Sequence, residues 1–280
     1  MCRLKKVQLN AIERGKVKRA RLVKIAQRAV KQKAALPTYI FSPPGLGKTF
    51  TVEQAIKKTK TTHYKVDGSV SMFAFGVQLA TIAYADKSKH IIVNVDDCDE
   101  ILKNEQNINI LKNMLEGGKR YTYNKSMTSQ MAILIEIQCD ASEHFSEPDL
   151  LGFSVPVDRF NFVFTSNLQL PFDDEVEDAN LRGRAKATLL GHRNAIRSRC
   201  QTNDFNMEWD VQWGWVADVV LNTKVLKHIT KKEKNILLDW MYCNWDGMTE
   251  RSIRTAEKMA GAMVDDPTGY ISDWEIDFLK

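Results

Sequence analysis

The chain has 280 residues, 44% apolar and 27% charged, the balance of an ordinary globular protein of one large or two small domains. No apolar run approaches the ~18 residues of a membrane helix, no apolar segment follows Met1 as a secretory leader requires, and five scattered cysteines without C-x-x-C spacing argue against a disulfide framework or a zinc site, so a reducing cytoplasm is the expected setting. The net charge of +5 is uneven: residues 1–33 hold twelve Lys or Arg and the single acid Glu13, a net +11 that leaves −6 for the remainder, and a basic arm of this kind suits nucleic acid or another polyanion.

Residues 17–33 place Leu22, Ile25, Ala26, Ala29 and Val30 at helical spacing among Lys and Arg, which predicts an amphipathic basic helix ended by Leu36-Pro37. Residues 38–41 are a short β-rich run entering a Pro/Gly turn; 49–60 read as helix, 63–66 as strand and 71–84 as helix. The apolar run at 91–95 predicts a strand buried on both faces of a parallel sheet. A helix over 108–115 stops at Gly117-Gly118, strands are suggested at 120–123 and 132–137, and a loop at 146–149. A second buried strand follows at 162–165, then a long polar, helical stretch at 173–198. This alternation predicts an α/β fold, a mostly parallel sheet flanked by helices. All six tryptophans lie at or beyond Trp209, and 213–221, 231–243 and 250–264 read as helices, with the tryptophans as their core and docking surface. The predicted organisation is a basic helical arm over 1–34, an α/β domain over 35–206 and a small all-helical domain over 207–280.

Residues 42–49 read Ser-Pro-Pro-Gly-Leu-Gly-Lys-Thr, after an apolar strand and before a predicted helix. Phosphate binding asks for backbone N–H groups converging at a helix N-terminus, glycine where a side chain blocks the approach, a lysine for the terminal phosphates and a hydroxyl for magnesium. Gly45, Gly47, Lys48 and Thr49 supply these, and candidate nucleotide contacts run over Pro44, Gly45, Leu46, Gly47, Lys48, Thr49 and Phe50. The string Pro-Pro-Gly-x-Gly-Lys-Thr resembles the phosphate loop of AAA+ ATPases, except that Ser42 stands at the family's usual first glycine. The resemblance covers roughly residues 35–265. It implies Mg-ATP as cofactor, bound between an α/β domain and a helical lid, and a homo-oligomer built as a ring or spiral.

Residues 91–99, Ile-Ile-Val-Asn-Val-Asp-Asp-Cys-Asp, are an apolar strand ending in acids and resemble the family's Walker B element. The resemblance makes Asp96 the magnesium-side acid, beside Thr49 as the other candidate ligand, and Asp97 the acid that polarises the attacking water. The family usually has Glu where this chain has Asp97, and the shorter side chain implies slow hydrolysis or an adjusted pocket. Phe-Val-Phe-Thr-Ser-Asn at 162–167 resembles the sensor-1 strand, with Asn167 the first candidate to contact the γ-phosphate and Thr165 the second. Ser-Arg-Cys at 198–200 is similar to the arginine-finger motif of clamp-loader ATPases. Arg199 is the first choice and Arg197 the second for a finger reaching a neighbouring subunit's ATP. In Thr-Glu-Arg-Ser-Ile-Arg at 249–254, Arg254 fits the family's sensor-2 arginine best and Arg251 next, although Glu250 and Arg254 also have the spacing of a plain helical ion pair.

The five histidines have no metal-ligand spacing, and Asp99, Glu100, Asp173, Asp174, Glu175 and Glu177 read as solvated surface charges. No Ser-His-Asp or Cys-His arrangement is visible. The resemblance together with the basic arm implies an ATPase that remodels or moves on a DNA-associated complex, the arm's charge pointing to DNA as its partner; with no long apolar run, no membrane partner is expected. The alternative is an ATP-dependent assembly switch of loader type with little turnover. A protein-remodelling ATPase ranks third, because its nearest pore-loop candidate, residues 72–76, falls in a predicted helix. Compact size, Ser-Arg-Cys and the polar stretch before it resemble ATPases encoded by bacteriophages, which implies a host cytoplasm.

Overall fold

The computed structural model describes residues 4–31, 36–116, 120–125, 128–130, 152–170 and 183–280. The strand at 132–137, the loop at 146–149, the Gly117-Gly118 stop, the first part of the 173–198 helix and the acids Asp173, Asp174, Glu175 and Glu177 lie outside them. Among the described residues no helix is long and apolar enough to cross a membrane.

Strands without a polar face can only be satisfied inside a covered parallel sheet. β3 (Ile91–Asp96) is buried at every position and β6 (Phe160–Ser166) at all but the first. They pair in parallel, Ile91 opposite Phe160 and Asp96 opposite Thr165. β1 (Thr38–Phe41) joins β6 on one side and β7 (Gln201–Asp204) on the other, and β2 (Thr62–Asp67) pairs with β3. The five strands run parallel in the order β2-β3-β6-β1-β7. Helices α3 (Met72–Ala85), α4 (Glu105–Leu115) and α5 (Gly183–Arg199) belong to the same compact unit, residues Gln27–Phe41 and Glu53–Asp204. Chain order reverses at β1, and in an open parallel sheet the strand ends at such a reversal are where ligands gather. The register sets Phe41 opposite both Ser166 and Asp204 at that end.

An antiparallel pair, β4 (Arg120–Tyr123) and β5 (Phe153–Pro156), brings aromatic residues onto α3. Tyr121 packs edge-on to Phe75 at 5.9 Å and donates from its hydroxyl to the Met72 carbonyl. Met72 and Phe75 are therefore core residues, which removes 72–76 as a pore loop. β7 was not predicted. Its residues Gln-Thr-Asn-Asp are polar and half-buried, so an edge strand held by the main chain leaves no apolar period to read.

The second compact unit gathers Met1–Ala26, Ser42–Val52 and Phe205–Lys280. Its C-terminal part is α6 (Trp209–Asn222), α7 (Lys231–Asn244), α8 (Ile253–Asp265) and α9 (Tyr270–Phe278). Thr230 and Glu233 close a reciprocal cap on α7, and Ser252 caps α8 by accepting from the Thr255 N–H at 3.1 Å. Trp213, Trp215, Trp245 and Trp274 are fully buried, whereas Trp209 is half exposed against Tyr242. Buried indoles need acceptors, and the Trp213 N–H finds the Leu238 carbonyl at 3.1 Å, that of Trp274 the Met259 carbonyl at 3.0 Å.

The basic helix α1 (Lys6–Lys31) begins eleven residues before its predicted start. The early turns are seated by small residues, Ala11 and Gly15, which carry little hydrophobic signal. A Cβ on Gly15 would lie 2.1 Å from the Trp215 backbone nitrogen, and one on Gly214 only 1.9 Å from the Ala11 carbonyl oxygen, so α1 and α6 touch main chain to main chain. Polar pins flank this seam. Arg19 pairs with the buried Asp218 at 2.5 Å, Arg14 with Asp210, and Gln8 donates to Asp239 at 2.8 Å. Residues read as an arm over 1–34 thus group, up to Ala26, with the C-terminal helices.

Candidate functional site

The loop leaving β1 turns through two residues in the left-handed region, Gly45 at φ 72° and Gly47 at φ 79°, where L side chains are strained. Lys48 opens α2 (Lys48–Lys57) with its side chain only 6% exposed. Its ammonium donates to the carbonyls of Ser42 at 2.8 Å and Pro43 at 3.3 Å, folding the loop around the lysine. Ser42, in place of the usual glycine, is buried and turns its hydroxyl back to the Pro43 carbonyl at 2.9 Å, so it does not obstruct the loop. Leu46 buries its side chain and contributes only main chain, and Phe50 is 66% exposed. Backbone N–H groups at a helix start, an ammonium and the Thr49 hydroxyl form a donor set that fits a nucleoside triphosphate with magnesium.

In the sheet unit, buried Asp96 closes β3. It accepts from the Thr165 hydroxyl and pairs with Lys65 at 3.1 Å. The chain then bends sharply, Asp97 sitting at φ 51° with its N–H on the Thr165 carbonyl at 3.1 Å. Short polar side chains tolerate that conformation best. The bend leaves the Asp97 carboxylate exposed, where Oδ1 accepts from Asn167 Nδ2 at 2.9 Å. Two adjacent strand ends thus bring Asp96, Asp97, Thr165 and Asn167 together, with Thr165 engaged by Asp96.

Two residues of this cluster escaped the sequence reading. Asp99 is not a solvated charge: it accepts from the Ser166 hydroxyl at 2.5 Å and the Asn167 N–H at 3.2 Å, fixing the turn that carries Asn167. Its partners come from a strand some sixty-seven residues away, so nothing local marks it. Lys65 lies on β2, where the register sets Asp67 opposite Asp96. Burial lowers its pKa, but hydrogen bonds to Asp67 and Asp96 outweigh that and hold it above the ordinary lysine value. Burial first and then Asp96 push the thiol of Cys98, beside them, up to about 12.

Two candidate arginines belong to the sheet unit and two to the unit with the C-terminal helices. Arg199, at the end of α5, pairs with Glu116 and donates to the Ala195 carbonyl at 2.8 Å. Arg197 lines a small cavity with Tyr39, Phe41, Gln169 and Asp204. Arg251 is tied to the Asp246 carbonyl at 2.7 Å, whereas Arg254 is exposed on the first turn of α8. Glu250 bonds Ser252 at 2.7 Å and Lys258 at 3.4 Å in place of the ion pair its spacing to Arg254 suggested.

A five-stranded parallel sheet with a glycine-lysine-threonine loop after β1, an acidic end on β3 and helices closing the chain defines a P-loop ATPase of the α/β type with a helical C-terminal part. The family model for the ATPase family associated with various cellular activities (AAA) matches residues 38–185, more than half of the chain, and the chain belongs to that family. No curated protein matches it.

Proposed function

We propose that this AAA ATPase binds and hydrolyses Mg-ATP as a homo-oligomer and uses the cycle to remodel or move on a DNA-associated complex. The observation that carries hydrolysis is the Asp97–Asn167 hydrogen bond, which holds an exposed carboxylate beside a neutral amide at the end of the acid strand. In this reading Lys48 and the backbone N–H groups at 45–49 bind phosphate, Thr49 and Asp96 hold magnesium, Asp97 orients and deprotonates water, and Asn167 senses the γ-phosphate. Magnesium when bound supplies charge neutralisation on the phosphate oxygens. Arg199 acts in trans and Arg254 in cis, with Arg197 and Arg251 as the next candidates. Phosphate release per site, with and without duplex DNA, tests the whole: turnover raised by DNA supports it, and turnover absent under every condition overturns it. One observation favours the second reading, an assembly switch with little turnover. Arg199 is held by Glu116, so the candidate finger needs release before it can reach a neighbour. Bound ATP that drives assembly and stays uncleaved supports that reading.

A finger acts across a subunit boundary. Arg199→Ala is expected to bind ATP as the parent does and to lose about 10³-fold in turnover, the low end for this device. Mixed with Lys48→Ala it regains activity, because a mixed interface contains one intact site. Assembled mixed oligomers without recovery would overturn the trans role of Arg199 and favour Arg197 or a purely structural role.

DNA affinity is proposed to reside on the outward face of α1. Lys16, Arg21, Lys24 and Arg28 are exposed there, while Arg14 and Arg19 are taken up by acids of the C-terminal helices. Each phosphate contact contributes a log–log salt slope of about −0.9 on duplex DNA. Replacing those four residues by Gln is expected to flatten the slope by up to about 3.6. An unchanged slope would move the DNA contact elsewhere.

A further inference from the structure

The phosphate loop is gripped through its carbonyls. The Gly45 carbonyl accepts from the Ile253 N–H at 3.0 Å, at the start of α8, and the Leu46 carbonyl accepts from the Trp215 indole N–H at 3.1 Å, on α6. A peptide unit is planar and trans, so its C=O and N–H point in opposite directions. Fixing the Gly45 carbonyl therefore aims the Leu46 N–H, and fixing the Leu46 carbonyl aims the Gly47 N–H. These are two of the main-chain donors that an anion at the start of α2 requires. Glycines at 45 and 47 give the loop freedom to turn either way, so its geometry depends on these outside donors.

Trp215 is in turn held from behind. It is 1% exposed and meets Phe205 edge-on at 5.8 Å, and its own backbone nitrogen is the atom nearest to the place a Gly15 Cβ would occupy. The chain of contact runs from α1 at Gly15, through Gly214 and Trp215 of α6, to Leu46. No step passes through a flexible side chain other than the indole, and all of it lies in one compact unit.

We infer that Trp215 is a positioning residue for the phosphate loop, and that the seating of α1 on α6 sets nucleotide affinity through it. The inference rests on the reading that residues 42–49 bind ATP. It adds a regulatory route: whatever displaces α1, a polyanion included, reaches the loop without touching nucleotide.

The test is a double-mutant cycle read on the dissociation constant of a fluorescent non-hydrolysable ATP analogue. Trp215→Phe keeps an aromatic ring against Phe205 and removes only the donor, leaving a buried carbonyl unpaired; about tenfold weaker binding is expected. Arg19→Gln loosens the α1 seat away from the loop and is expected to weaken binding about threefold. If the seat acts through Trp215, Arg19→Gln has no further effect in the Trp215→Phe background. Independent structural damage would instead make the two losses multiply, and that result overturns the inference, as does parental affinity in Trp215→Phe. Thermal unfolding of each variant separates loss of fold from loss of aim. Should Arg19→Gln fail to fold, Gln8→Glu, set against Asp239 on the same seam, replaces it. Trp215→His retains a ring N–H and is expected to bind the analogue more tightly than Trp215→Phe, or within about threefold of the parent should Trp215→Phe fail to fold; weaker binding in either comparison counts against the inference. A parent that does not bind the analogue at all would sink the ATP reading itself, an outcome distinct from parent-like variants.

Discussion

Asp97→Asn is expected to keep ATP and to stop turning it over. Asn matches the carboxylate in size, so the strand end and its contact with Asn167 are retained once the amide flips to present its oxygen. The backbone also tolerates the change, because Asn, like Asp, accepts the φ of 51° at this position. What disappears is the proton acceptor, and a positioned general base contributes about 10²–10⁴-fold in rate. Turnover should fall within that range while the analogue's dissociation constant stays within about twofold. Asp96→Asn should separate from it. Asp96 is buried, with Thr165 and Lys65 on its carboxylate, so neutralising it weakens magnesium-dependent binding itself. Equal turnover in Asp97→Asn and the parent would show that another group orients the water. Asp97→Glu is not a simple gain toward the family's usual residue: it lengthens the acid and places a poorer residue in the left-handed region.

Lys48→Ala should abolish measurable nucleotide binding, with affinity for the fluorescent analogue falling by at least about 10²-fold. Hydrogen bonds to charged groups contribute about 1.5–3 kcal/mol each, so losing one or two between the ammonium and phosphate accounts for that factor. The fold should persist, since the side chain lies against the loop carbonyls of Ser42 and Pro43 and fills no apolar core. Circular dichroism and thermal unfolding close to the parent, together with lost analogue binding, is the expected combination. Parental affinity in this variant would remove the phosphate-loop assignment.

Elements that bury apolar side chains on a period were legible beforehand. β3 and β6 announced themselves as mainly apolar runs, with Asn94 the one polar residue inside 91–95, and the glycine-lysine-threonine loop by residue types that phosphate binding needs in that order. What escaped depends on partners distant in sequence. β7 is polar and is a strand only because β1 offers an open edge. Asp99 gains its role from Ser166 and Asn167, and Lys65 from Asp96, through sheet register that no local window contains. Trp215 looked like one more core aromatic, because an indole donating to a loop carbonyl leaves no composition signal. Gly15 weakened the helical pattern of α1 although it is the residue that seats the helix.

The α1–α6 seam also fixes an order of events during synthesis. Arg19 and its partner Asp218 are separated by 199 residues, and Gln8 and Asp239 by 231. At about 5–20 residues per second, α1 waits about 10–40 s on the ribosome before its partner helix exists. Until then its small-residue stripe and the Gly45–Gly47 loop have no C-terminal helices to close on. Bringing such distant segments together has an entropic cost that slows folding more than it lowers stability. The apolar side of α1 is therefore a transient exposed surface on the nascent chain, flanked by positive charge that keeps copies apart, and chains truncated before Phe205 should depend on holding chaperones while the 280-residue chain does not.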